Sequence, residues 1–238
     1  MSLYGADLLA LLPELIIVVT ACLVISLDPI TPASRQDLLA WLSMGALALC
    51  LGLTGWQINS LNIRVSAFSD LVVIDAYARF WKILLYGVTG LTILMSMPYL
   101  KAERIQLGEY YGFILLALSG MMVMISGADL LTIYLGTELM SLSLYVMTGL
   151  NRSKPRSLEA AAKYFVLGAF SSGILLYGIS LLYGVAGSTK LASIASAIGT
   201  RGADDPLVLA ATVLIAVGFC FKLAAVPFHM WTPDVYQG

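Results

Sequence analysis

In 238 residues the chain is 60% hydrophobic and only 11% charged, with a net charge of −1, whereas a soluble domain is about 45–50% apolar and about 25% charged. Polar groups this scarce cannot cover a water-facing surface, so lipid is part of the solvent. No basic run offers a nucleic-acid surface. Cys22, Cys50 and Cys220, far apart inside apolar runs, lack the spacing of a zinc site, an iron–sulfur site or a disulfide framework and read as inert thiols.

A membrane helix takes about 20 mostly apolar residues. Seven such runs follow in chain order, near 8–27, 38–56, 77–99, 110–126, 130–150, 158–183 and 206–236. The fold class they predict is all-α, a polytopic transmembrane bundle. The first run is full length and precedes the first basic residue, Arg35, so it reads as a retained helix and not as a signal peptide. Residues 28–37, rich in Pro, Asp and Ser, form a loop. Ser126-Gly127-Ala128-Asp129 predicts a tight turn in which Asp129 caps the next helix. Two longer polar stretches remain, 57–75 and 184–205. In the second, Leu191, Ile194, Ala195 and Ile198 fall at helical spacing, which fits a short amphipathic helix on the membrane surface or a plain loop.

Connections after odd-numbered runs carry Arg35, then Lys101 and Arg104, then Arg152, Lys154 and Arg156. Those after even-numbered runs carry Arg64, Lys190 and Arg201. The bias places the odd connections in the cytoplasm and the N-terminus outside. Arg79 and Lys82, read as lying at the outer end of the third run, pull the other way.

Ionisable groups inside apolar runs are expensive in lipid and mark functional paths. Glu138 sits near the middle of the fifth run, out of reach of either surface, with Thr137, Ser141 and Ser143 around it. The bland alternative is a neutral carboxyl bonded to a neighbouring helix. Lys222 follows about sixteen residues of the last run, and Pro227 lies five residues on. Proline removes a donor and clashes with the carbonyl four residues back, so the helix breaks just after Lys222, as at ion sites in transporters. A simple kink with a structurally paired lysine is the alternative. Lys163, about two turns into its run, could either join an internal cluster or snorkel to the surface. With a rise of about 1.5 Å per residue across a slab about 30 Å thick, Glu138, Lys222 and Lys163 fall about 14, 24 and 21 Å below the outer surface. They could meet near the midplane if their helices are neighbours.

Burial disfavours a charged ammonium and a nearby carboxylate restores it, so a change in the Glu138–Lys222 distance would change proton affinity. Lys163 could compete for Glu138. Glu14, after Pro13, reads as an interfacial carboxylate at a helix start, and His229 as a packing residue or a proton relay. Ala160, Ala161, Ala162, Gly168, Ser171, Ser172 and Gly173 suggest close helix packing. No dinucleotide or P-loop motif is present.

Three stretches carry a resemblance: Asp129-Leu-Leu-Thr-Ile-Tyr-Leu-Gly-Thr-Glu138-Leu, then Ser157-Leu-Glu-Ala-Ala-Ala-Lys163-Tyr-Phe-Val-Leu-Gly-Ala-Phe-Ser-Ser-Gly, then Gly218-Phe-Cys-Phe-Lys222-Leu-Ala-Ala-Val-Pro227-Phe-His229-Met-Trp-Thr-Pro-Asp-Val-Tyr. Through them the chain resembles subunit N (mitochondrial subunit 2) of NADH:quinone oxidoreductase, bacterial respiratory complex I. The resemblance implies an antiporter-like inverted-repeat fold and a proton half-channel. Its central pair would be Glu138 on the fifth helix and Lys222 on a broken seventh, with Lys163 on the same polar axis. It implies proton translocation coupled to electron transfer from NADH to quinone, a bacterial inner-membrane location, and other complex I membrane subunits as partners, sibling antiporter-like subunits among them. It implies no cofactor in this chain, since NADH, FMN, iron–sulfur clusters and quinone chemistry belong elsewhere in the complex. Related multi-subunit cation/proton antiporters and membrane-bound hydrogenases share the architecture. The implied organisation is one transmembrane domain, with three N-terminal helices over about 1–108 and an incomplete first repeat over 109–238. Members of the family have about fourteen helices, so the chain is expected to be a fragment, a truncated form or one piece of a split subunit.

Overall fold

The computed structural model describes residues 3–32, 35–60, 64–103 and 108–237; Arg104, counted for orientation, lies outside them. Among these residues are ten α-helices and one short two-stranded sheet. Six helical segments are long and apolar enough to cross a membrane, and the chain is a multi-pass membrane protein. Its surface is correspondingly apolar, with Met95, Phe170 and Val166 exposed. The chain divides into two compact units, Met1–Gly127 with Leu135–Met147, and Ala128–Tyr134 with Thr148–Gly238.

In the first unit the opening run is two helices, α1 (Leu3–Ala10) and α2 (Leu12–Leu27). Pro13 is the reason: it has no N–H to give Leu9, four residues back. The Gln57 side chain supplies the missing donor, its Nε2 donating to Leu9 O at 3.0 Å. That residue ends the polar face of α3 (Asp37–Ser60), which packs on α2 and on α4 (Ala76–Ala102), while α5 (Glu109–Ser126) packs on all three. Ile17, Ala21, Val24, Leu47, Ile93 and Leu118 form the core between them. The polar stretch 57–75 contains a hairpin. Strands β1 (Val65–Ala67) and β2 (Val72–Ile74) pair antiparallel with Val65 opposite Ile74, and Phe68, Ser69 and Asp70 turn with positive φ. Ala67, Val72 and Ile74 bury themselves against Ala10, so this hairpin covers the N-terminal helix break.

The second unit is built on α7 (Pro155–Ala186) and α9 (Pro206–Lys222). A Cβ on Gly218 would lie 2.6 Å from the Leu175 Cβ, so the two backbones approach as closely as glycine allows. Of the predicted small-residue face, Ala160, Gly168, Ser171 and Ser172 are buried, whereas Ala162 and Gly173 are exposed. The amphipathic segment folds as α8 (Leu191–Arg201), whose Ile194 and Ile198 join a cluster with Leu182 and Ala211. The last apolar run does not continue as one helix. It stops at Lys222, passes through a non-helical segment at 223–231, and resumes as α10 (Thr232–Gln237). The interruption expected from Pro227 is therefore present.

Candidate functional site

Helix α6 (Leu130–Thr148) carries Glu138. Its start is fixed by Asp129, whose Oδ1 accepts from the Leu131 and Thr132 N–H groups at 2.8 and 3.4 Å and whose Oδ2 accepts from the Thr189 hydroxyl at 2.6 Å. In the first unit α6 meets α5 at a glycine pair: a Cβ on Gly120 would lie 2.6 Å from Gly136 O, and one on Gly136 would lie 2.7 Å from Gly120 O. No side chain fits between these backbones, and the crossing holds the middle of α6 in place. Thr137, Ser141 and Ser143 are all buried there. Their hydroxyls turn inward, to Met124 Sδ at 3.4 Å and to the Thr137 and Leu139 carbonyls at 2.8 Å each. Glu138 is half-buried beside them, two residues from the glycine that meets the α5 backbone.

The second unit holds Lys163, Lys222 and His229. Lys222 is the final residue of α9 and is half-buried. Beyond it Leu223 N donates to Phe219 O and Phe221 O, Ala225 N reaches back to Cys220 O at 2.8 Å, and the Trp231 indole Nε1 donates to Phe221 O at 3.1 Å. Carbonyls released by the break thus find donors within the break itself. Trp231 stacks on Tyr164 of α7, with ring centroids 4.6 Å apart, and so fastens the returning chain. His229 lies exposed on this segment. Lys163, 45% exposed at its side chain, is held by Glu159 at 2.8 Å and Asp234 at 3.0 Å. An open cleft of about 220 Å³ is lined by Arg156, Glu159, Lys163, Asp234 and Gln237.

In a third set of charges, the burial and the pairing escaped sequence reasoning. Glu14, expected at an interface, is only 4% exposed; Lys82 is 1% exposed, and Arg79 is buried too. Glu14 on α2 and Lys82 on α4 form a direct ion pair. A signal for this was available. Arg79, Lys82, Tyr86, Thr89 and Ser96 repeat every three, four or seven residues along α4 and all face inward. Read one at a time near a helix end, the first two pass for interfacial cations.

Comparison with known proteins follows the same lines. Residues 127–238 match the family described as NADH:quinone oxidoreductase/Mrp antiporter, transmembrane. NADH-quinone oxidoreductase subunit N of Trichlorobacter lovleyi is 45% identical over 235 residues, which is 98% of this chain and 47% of that one. The subunit N of Thioalkalivibrio sulfidiphilus is 44% identical over 238 residues, 98% of this chain and 48% of that one. Along nearly its whole length the chain is similar to subunit N. It spans about half the length of the curated subunit N relatives that it matches. Among solved structures, respiratory complex I from Thermus thermophilus with bound aureothin superposes with a TM-score of 0.75 at 29% identity, over 95% of this chain and 47% of that chain. The Mrp complex from a Dietzia species shares the fold, with a TM-score of 0.73 at 24% identity over 99% of this chain and 44% of that chain. The chain therefore has the antiporter-like membrane fold. Its Glu138 stands on the helix pinned by the glycine crossing, and its Lys222 stands at the helix break.

Proposed function

We propose that this chain works as part of a membrane subunit of NADH:quinone oxidoreductase that translocates protons, coupled to electron transfer from NADH to quinone in the assembled complex. The observation that carries the reading is the 45% identity to a subunit N along 98% of the chain. The chemistry supports it from two sides: a carboxylate on a backbone-locked helix and an ammonium at a helix interruption, the kind of place where freed backbone and side chains serve ions. Glu138 modulates, Lys222 carries the proton, and Lys163 helps to pass it on, with His229 a further relay candidate. Lysine suits the carrier role because its charge responds to burial and to a neighbouring carboxylate, which arginine's does not. NADH oxidation, FMN, the iron–sulfur clusters and quinone chemistry belong to other parts of the complex. Other membrane subunits, including sibling antiporter-like ones, are the partners. Three membrane-spanning segments over about 1–108 precede an incomplete first antiporter-like repeat over 109–238. The location is the bacterial inner membrane, with the N-terminus outside.

The test is replacement of Glu138 or Lys222 by Ala in the full-length subunit of an assembled, membrane-reconstituted complex. NADH-driven proton uptake should fall while the complex still assembles. Wild-type pumping in both variants would end the reading, and loss of assembly alone would make the two charges structural. A cation/proton antiporter or membrane-bound hydrogenase subunit is the rival, because the matching family description includes Mrp antiporters. Ion movement that ignores NADH would favour it.

A further inference from the structure

Glu14 and Lys82 are a buried ion pair whose hydrogen-bonding capacity is far from filled. An ammonium has three donors and a carboxylate about four acceptor sites. Neither Glu14 oxygen nor Lys82 Nζ has a hydrogen-bond partner elsewhere on the protein among the described residues. Yet both side chains are excluded from the surface, at 4% and 1% exposure. A dry pair left in this state bears an uncompensated desolvation cost. Its surroundings are polar along one line. On α3, Cys50, Thr54 and Gln57 face inward at spacings of four and three residues. Opposite them on α4 are Lys82 and Tyr86, whose hydroxyl lies 3.4 Å from the Thr54 hydroxyl. Gln57 reaches the carbonyls of Leu9 and Ala10 at the helix break, and the Cys50 thiol donates to Pro13 O at 3.5 Å. This polar line therefore runs from the covered break beside the hairpin to about three turns inside α4.

We propose that the Glu14–Lys82 pair holds a small cluster of buried water inside the first unit, entered from the hairpin end. Water supplies the two to four hydrogen bonds that such groups require and is the ligand that a polar, enclosed site takes up. A hydrated carboxylate–ammonium pair exchanges protons by its chemistry, so this is a proton-accessible site separate from Glu138. It stands whether or not the pumping reading of Glu138 and Lys222 holds. The experiment is water-edited solid-state NMR on the full chain in lipid bilayers, labelled at Glu, Asp, Lys and Ile. The Glu14 carboxyl signal is assigned by its loss in Glu14→Gln. Magnetisation from water should reach the Glu14 carboxyl and the Lys82 Nζ about as fast as it reaches the exposed Asp37–Lys101 pair, and several-fold faster than it reaches buried Ile17. Build-up at Glu14 and Lys82 as slow as at Ile17 would overturn the proposal. In a Glu14→Leu/Lys82→Met chain, labelled in addition at Tyr, the fold should persist and Tyr86 should lose its fast contact with water. Unchanged transfer to Tyr86 there would overturn the assignment of the water to this pair.

Discussion

Lys82 and Lys163 stand at nearly the same place in their helices, the seventh residue of α4 and the ninth of α7, and meet opposite fates. The Lys82 side chain is 1% exposed against a single buried carboxylate; that of Lys163 is 45% exposed between two carboxylates. What differs is the packing on either side. In the first unit α3 and α5 both pack on α4, and the hairpin covers that end. In the second, the charged face of α7 near Lys163 borders an open cleft. Distance along a helix axis does not set the environment of a charge; what covers that stretch of the helix does.

The sharpest way to break this comparison is to remove one charge from each region. Lys82→Met should cost about 3–5 kcal/mol because it strands a buried carboxylate, read as a lowered unfolding midpoint in bilayer-mimetic micelles. Lys163→Met should leave that midpoint unchanged. The double variant Glu14→Leu/Lys82→Met should recover most of the loss, since an apolar pair replaces a buried ion pair with little or no net cost. A smaller effect is expected at the helix break: Gln57→Leu leaves the Leu9 carbonyl unpaired and should cost about 1–3 kcal/mol. Gly136→Ala forces a Cβ against Gly120 O and should also cost about 1–3 kcal/mol, with Glu138 displaced from its place. Smallest is Asp129→Ala, the loss of a helix cap, at roughly 0.5–2 kcal/mol, read by the same unfolding measurement. An effect of Lys163→Met as large as that of Lys82→Met would show that exposure does not distinguish the two.

Much of this was legible in advance where a residue's meaning depends on its own neighbours in the chain. Asp129 reads as a cap because it precedes an apolar run, and it caps. Pro227 predicts a break after Lys222, and α9 ends there. The hairpin was missed because three-residue strands leave too short an alternation to register. Pro13 also breaks a helix, but its neighbours gave no hint that Gln57, 44 residues away (57 − 13), would complete the bonding.

The amino-acid sequence alone determined that the protein lives in lipid, where its apolar segments lie and that the last of them is interrupted after Lys222, because these follow from local composition and from proline's missing donor. It also marked Glu138 and Lys222 as charges out of place. Only the tertiary structure decided which charges are enclosed. It put Glu14 against Lys82, gave Lys163 the carboxylates of Glu159 and Asp234, and brought Gly120 against Gly136. Burial is a property of the neighbours that a residue acquires when helices pack, and nothing in the spacing along one helix specifies them.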